Sequence, residues 1–172
     1  DVGTNTTDMD NVAFNTRYVT CIDETKGGSG NPSGATAKGV VSCLESIVNL
    51  ENLVVSIQGM GNVSQPMLES LIDKKIARAY ICDVDDEKTK YVKDKFGDLI
   101  EVVDPDDIYG VDSEVFIPNA LGGILCAENI EQLRVSYVCG AANNQLASDD
   151  MVDLMRDRGI DYVPDFVINR MG

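Results

Sequence analysis

Leu53-Val54-Val55-Ser56-Ile57-Gln58-Gly59-Met60-Gly61-Asn62-Val63-Ser64 carries a β-branched apolar run straight into a Gly-x-Gly turn. A helical pattern follows, expected over 62–75, and a second apolar run, Arg78-Ala79-Tyr80-Ile81-Cys82-Asp83, ends in an acid. Strand, tight turn, helix and strand in that order form a βαβ unit, and such a unit requires parallel strands. Gly59 permits the tight turn, and Gly61 removes a Cβ so that backbone can approach a bound pyrophosphate. The helix start at Asn62 and Val63 offers free N–H groups to the same anion. Ser64, in the position where a third glycine is common, is still small enough for close helix–strand packing.

Asp83 follows Gly59 by 24 positions, near the roughly 20 expected of an acid that accepts hydrogen bonds from an adenosine ribose. Asp85 and Asp86 come next, with no arginine near in sequence. A 2′-phosphate there would face three carboxylates, so the expected cofactor is NAD rather than NADP. Either Asp85 or Asp86 also suits the cap of the following helix, and the two roles are compatible.

Outward from this unit the chain keeps alternating. Strands are predicted at 53–58, 78–83, 100–103, 115–118, 137–139 and 162–163, and helices at 62–75, 86–96, 127–133 and 148–158. Gly97 and Gly159 fall where helix C-terminal glycines are expected. The pattern predicts an α/β fold, a Rossmann-type doubly wound, mostly parallel sheet with helices on both faces and ligands outside the carboxyl ends of the strands. Pro66 falls past the first turn of the helix expected from Asn62, which predicts a loosened or kinked start there.

Upstream, Thr7-Asp8-Met9-Asp10 reads as a capping box opening a short helix whose apolar face is Met9, Val12 and Ala13. The stretch Lys26-Gly27-Gly28-Ser29-Gly30-Asn31-Pro32-Ser33 is either a flexible linker or a hinge with close backbone packing. Ala37, Val40, Val41, Leu44 and Val48 then recur at helical spacing and predict a helix over about 33–48. This divides the chain into a lead-in, 1–32, and a nucleotide-binding domain, 33–172.

Composition narrows the function. A chain of 172 residues that is 44% hydrophobic suffices for about one domain with a real core. With 29 acids against 14 bases the formal charge is −15, which argues against nucleic-acid and anionic-membrane partners. No apolar stretch approaches the roughly 18 residues of a membrane span and no signal peptide is visible, so the expected location is the cytoplasm. The five cysteines stand singly, without a C-x-x-C pair, and read as reduced, mostly buried thiols. The absence of histidine excludes a histidine triad or histidine zinc ligand within this chain. Proton transfer would fall to Asp, Glu, Lys or Tyr.

Further segments join the glycine turn in a fixed order: Asp1-Val2-Gly3-Thr4, Tyr18-Val19-Thr20, Gly30-Asn31-Pro32-Ser33, Ala120-Leu121-Gly122, Ala141-Ala142-Asn143-Asn144-Gln145-Leu146 and Pro164-Asp165-Phe166-Val167-Ile168-Asn169. Over essentially its whole length the chain resembles leucine dehydrogenase and its relatives among the Glu/Leu/Phe/Val dehydrogenases. The resemblance implies NAD-dependent oxidative deamination of an L-amino acid to its 2-oxo acid, with a branched-chain or other apolar substrate. It implies that Asp1 matches a proton-shuttling aspartate and Thr20 a substrate-pocket threonine. Thr36 matches a threonine near the nicotinamide, and Ala120, Asn143 and Asn169 match positions lining the cofactor cleft. Other roles compete: Thr36 could cap or pack a helix turn, Ala120 could be small for packing, and Asn143 could bond loop backbone.

The departures matter as much. The family's substrate domain, with its glycine-rich segment and water-activating lysine, precedes the Asp-Val-Gly-Thr motif, and Lys26 and Lys38 do not sit in that segment. Asn119 replaces a usual cysteine, Arg170-Met171 replaces Ala-Gly, and the helix before Leu53 is about two turns short of the family pattern. The expectation is therefore a cofactor half of such an enzyme, inactive by itself, with a small-molecule amino acid as substrate and a homo-oligomer of the full-length protein as what the resemblance implies. The alternative is a non-catalytic NAD-binding module for regulation or assembly, which Pro66, the short helix and Arg170-Met171 favour.

Overall fold

Parallel strands need crossovers, and the alternation supplies them. The computed structural model describes residues 3–168. Its strands are β1 (Val54–Gln58), β2 (Arg78–Cys82), β3 (Ile100–Val102), β4 (Val115–Pro118), β5 (Tyr137–Val138) and β6 (Asp161–Tyr162). They form one sheet in the order β3-β2-β1-β4-β5-β6, and every pairing is parallel. The order reverses direction between β1 and β4, and in such a sheet the ligand crevice opens at that point.

The helices are α1 (Thr6–Ala13), α2 (Ser33–Ile47), α3 (Ser64–Asp73), α4 (Asp86–Phe96), α5 (Ala127–Gln132), α6 (Met151–Asp157) and α7 (Asp165–Ile168). The period-two geometry of the strands sorts the core into two layers. Val55, Ile57, Val115 and Ile117 meet Val40 and Leu44 of α2 and Met67, Leu68 and Leu71 of α3. Phe116, between two of those residues, faces the other way with Val138 and meets Ile130 of α5 and Met155 of α6. Each of these side chains is fully buried, a gain of about 1.5–3 kcal/mol apiece. Helices on both faces leave the strand ends as the exposed edges.

Several local expectations are corrected. The helix after the glycine turn begins at Ser64, two residues later than the sequence pattern suggests. Pro66 is then its third residue; Gln65 and Met67 on either side of it donate to the carbonyls of Gly61 and Val63 at 3.3 and 3.2 Å, and the proline, lacking an N–H, leaves the Asn62 carbonyl between them without the equivalent bond. In α1 the capping box exists but sits two residues earlier. Asn5 Oδ1 accepts from the N–H groups of Thr7 and Asp8, while Asp8 accepts from the N–H of Asn5. The expected apolar face of α1 is only partly covered: Met9 and Ala13 are half-buried, Val12 is exposed, and no residue of the helix is fully buried. The helix expected over 148–158 is shorter, and Ser148, Asp149 and Asp150 form turns before it. The Gly-rich stretch is a packed turn: the N–H of Gly30 donates to the carbonyl of Ile22 at 2.9 Å, and a Cβ at Gly28 would lie 2.0 Å from that same oxygen.

Cys82 and Cys139 are buried and Cys21, Cys43 and Cys126 are half-buried; all five are free thiols. Burial pushes the Cys82 thiol up to about 11, so it stays protonated at neutral pH. Among the described residues no helix is long and apolar enough to cross a membrane.

Candidate functional site

Four strand ends converge at the carboxyl edge of the sheet: Gln58 of β1, Cys82 of β2, Pro118 of β4 and Val138 of β5. Gly59 leaves β1 with φ of +93°, a conformation that disfavours any residue with a Cβ. Its N–H donates to the carbonyl of Cys82 at 2.8 Å. A Cβ on Gly59 would sit 3.0 Å from both the Ala120 Cβ and the Asn119 carbonyl oxygen. The glycine turn is thus pressed between the ends of β2 and β4.

Gly61 differs in kind. It has an ordinary φ, and a Cβ added there would meet nothing within 4 Å. The vacant space lies over the start of α3, whose preceding residues Gly61, Asn62 and Val63 have N–H groups with no protein acceptor among the described bonds. This is a cradle that a side chain would fill. Unengaged N–H groups at a helix start suit a phosphate or pyrophosphate.

Asp83 closes the other wall. Its side chain is 9% exposed, and it accepts from the Met60 N–H at 2.6 Å through Oδ2 and from the Asp85 N–H at 2.9 Å through Oδ1. One carboxylate therefore fixes the turn to β2 and still has acceptor capacity, because each oxygen carries two lone pairs. Asp85 caps α4 through the Glu87 N–H at 3.1 Å. Sequence spacing missed Lys88, whose Nζ lies 3.7 Å from Asp83 and 3.6 Å from Asp85. Two carboxylates thus face one ammonium, and the acidic character is reduced but not cancelled.

The opposite wall comes from two loops. Ala120 is exposed beside the glycine turn. The loop 120–123 packs on the loop after β5, for the N–H of Gly123 donates to the Asn144 carbonyl at 2.7 Å and a Cβ at Gly122 would lie 2.6 Å from the Asn143 carbonyl oxygen. Asn143 is exposed on that loop. Asn144, at φ of +51°, donates its N–H to Asp165 Oδ2 at 2.6 Å. Gln145 is fully buried and staples the loop from within, donating to the carbonyls of Gly140 at 2.7 Å and Ala142 at 2.9 Å.

Gly59, Gly61, Asn62, Val63, Asp83, Ala120 and Asn143 therefore share one edge. Thr36 is buried in the first turn of α2, and no bond joins it to the glycine turn among the described contacts. Thr20 is exposed in the lead-in, its hydroxyl 3.7 Å from the Cys21 thiol. Asp1 and Asn169 lie outside the described residues. Sequence reading also missed the 2.8 Å bond from Gln58 Nε2 to the Tyr109 hydroxyl beneath the turn. A separate groove of about 550 Å³, lined by Asp112, Glu114, Arg134 and Arg158, lies at the amino edge of the strands, away from this constellation, where its two arginines are matched by two acids.

No family model matches the chain. Leucine dehydrogenase from Geobacillus stearothermophilus is 40% identical over 179 residues, covering 100% of this chain and 48% of its own length. Phenylalanine dehydrogenase from Caldalkalibacillus thermarum is 36% identical over 182 residues, covering 100% and 49%. The crystal structure of L-tryptophan dehydrogenase from Nostoc punctiforme superposes with a TM-score of 0.77 at 34% identity, covering 92% of this chain and 52% of that one. The chain spans about half the length of the curated relatives it matches.

Proposed function

We propose that this chain, similar over its whole length to about half of several amino acid dehydrogenases, is the NAD-binding part of an enzyme that oxidatively deaminates an apolar L-amino acid. The observation that carries the reading is the bond from Met60 N–H to Asp83, which joins the ends of β1 and β2 beside the point where strand order reverses. It ties the open space at Gly61 and the start of α3 to a largely buried carboxylate 24 positions after Gly59, near the roughly 20 expected of an acid that binds an adenosine ribose.

In this reading the N–H groups of Gly61, Asn62 and Val63 hold the pyrophosphate, and Asp83 accepts from the ribose hydroxyls with its remaining lone pairs. Asp85 and Asp86 disfavour a 2′-phosphate, which selects NAD. Ala120 and Asn143 line the far side of the cleft. The resemblance adds Thr36 and Asn169 near the nicotinamide, Thr20 in the substrate pocket, and Asp1 moving a proton at the substrate's amino nitrogen. When bound, the nicotinamide supplies the hydride acceptor. The division at residue 32, a cytoplasmic setting and assembly with further copies are parts of the same proposal. The rival reading is a non-catalytic nucleotide-binding module, which Pro66 in the first turn of α3 favours, because it interrupts the bonds that Gln65 and Met67 make on either side.

The water-activating lysine is assigned to sequence other than these 172 residues, so the expected results divide. The 172-residue chain alone is expected to form no NADH from L-leucine, L-valine or L-phenylalanine. The protein expressed from its complete gene is expected to form NADH from at least one of them. Turnover by this chain alone contradicts the placement of the lysine. NAD binding without turnover by the complete protein favours the non-catalytic module.

A further inference from the structure

Asn119 sits where three parts of the site meet, and its side chain is wholly engaged. Its backbone N–H donates to the Gln58 carbonyl at 2.8 Å, extending the β1–β4 ladder by one bond. Its Oδ1 accepts from the Ala141 N–H at 2.7 Å. Its Nδ2 donates to Ser64 Oγ at 3.1 Å and lies 3.5 Å from the Met67 sulfur. Ser64 is fully buried as the first residue of α3, and Ala141 opens the loop that carries Asn143. One planar amide, half-buried just past β4, thus ties the helix behind the glycine turn to the loop beyond β5.

This tie crosses the middle of the proposed cofactor cleft. With the adenosine at Asp83 on the β2 side and the pyrophosphate at Gly61, the remaining half of a dinucleotide runs over β4 toward the Ala141–Asn143 loop. An isolated loop of small residues at that place would have to be ordered when the ligand arrives, and ordering it costs affinity. The close approach of Gly140, whose added Cβ would lie 2.3 Å from the Pro118 carbonyl oxygen, brings the β5 end near enough for the amide to span. Only a group with one donor and one acceptor at a fixed separation makes both bonds: a carboxylate brings a second negative group beside the pyrophosphate, and a thiol donates and accepts weakly.

We propose that Asn119 is a positioning residue that couples the two halves of the cleft, holding the loop after β5 in register with the α3 start so that a ligand spanning both meets a preformed surface. The inference rests on the cofactor reading above. Asn119 need not touch the ligand. Its contribution is therefore specific to ligands that reach across β4, whereas a residue serving only general stability would affect every nucleotide alike.

Calorimetric titration of the 172-residue chain with NAD and with ADP separates these outcomes, because ADP fills only the adenosine and pyrophosphate half. Asn119→Ala is expected to weaken NAD binding about tenfold and ADP binding less than about twofold, the scale of one to two lost hydrogen bonds expressed through the longer ligand. Ser64→Ala cuts one end of the tie, preserves close packing with its methyl group, and is expected to give about a threefold loss for NAD in the same sense. It carries the comparison if Asn119→Ala does not fold. Equal losses for NAD and ADP, or no loss for either, overturn the coupling role and leave the nucleotide site standing. A wild-type chain that binds neither nucleotide overturns the cofactor reading, and the coupling with it.

Discussion

Asp83→Ala is expected to weaken NAD binding about a hundredfold and to lower the melting temperature by about 5 °C, because one carboxylate does two jobs. Its structural job is visible in the bonds from Met60 N–H and Asp85 N–H. Met60 is fully buried, so its N–H cannot turn to water when the acceptor disappears, and the penalty is about 1–3 kcal/mol. For a chain of this size that corresponds to a few degrees of melting temperature. The binding job adds the loss of charge-assisted bonds to the ribose, each of about 1.5–3 kcal/mol. Asp83→Asn separates the two: it keeps the volume, but its single oxygen serves one N–H and its amide nitrogen confronts the other. Its stability is expected between wild type and Asp83→Ala. Thermal melting and calorimetry on the same samples read both quantities, and NAD affinity unchanged in Asp83→Ala would reduce Asp83 to a structural tie.

The second large effect comes from the two glycines of one turn, which are expected to fail in different ways. Gly59→Ala places a Cβ at φ of +93° and 3.0 Å from Ala120 and Asn119. The left-handed strain of about 1–2 kcal/mol and the crowding of a packed site of about 1–3 kcal/mol act together. Urea unfolding should show a loss of about 3 kcal/mol, along with weakened NAD binding as the turn is pushed off β4. Gly61→Ala meets no protein atom within 4 Å, so stability should stay within about 0.5 kcal/mol of wild type. Its methyl group nevertheless stands in the cradle, and NAD binding should weaken at least about tenfold. Wild-type affinity in Gly61→Ala would mean that no ligand uses that space.

How far the sequence could be read follows from how local each cause is. β4 and α4 are found at the bounds their residues predict, Val115–Pro118 and Asp86–Phe96, since an unbroken apolar run and an Asp cap signal themselves. The glycine turn and Asp83 were legible for the same reason: their spacing is fixed by the βαβ unit. The start of α3 was less so, because Asn62 and Val63 form a turn, with the Gly61 carbonyl accepting from Gln65 at 3.3 Å, before the regular helix begins at Ser64. α1 could be seen as amphipathic, yet its apolar side is only partly covered, with Met9 and Ala13 half-buried and Val12 exposed. Lys88 reaches Asp83 by lying one turn into α4, visible only once that helix's start and orientation are known. Asn119 and Gln145 were unreadable as supports because their partners, Ser64, Ala141 and Gly140, come together only when β1, β4 and β5 line up. Short-range chemistry is written in order along the chain, but the second layer behind the site is assembled by the sheet.

The central claim, a dinucleotide site that prefers NAD, is tested most directly by calorimetric titration of the wild-type chain with NAD and with NADP in the same buffer. The account predicts saturable NAD binding and NADP binding at least about tenfold weaker, because a 2′-phosphate would meet Asp83 and Asp85, with Asp86 next in sequence, against the ammonium of Lys88. Equal affinity for the two cofactors, or no binding of NAD at all, would contradict it.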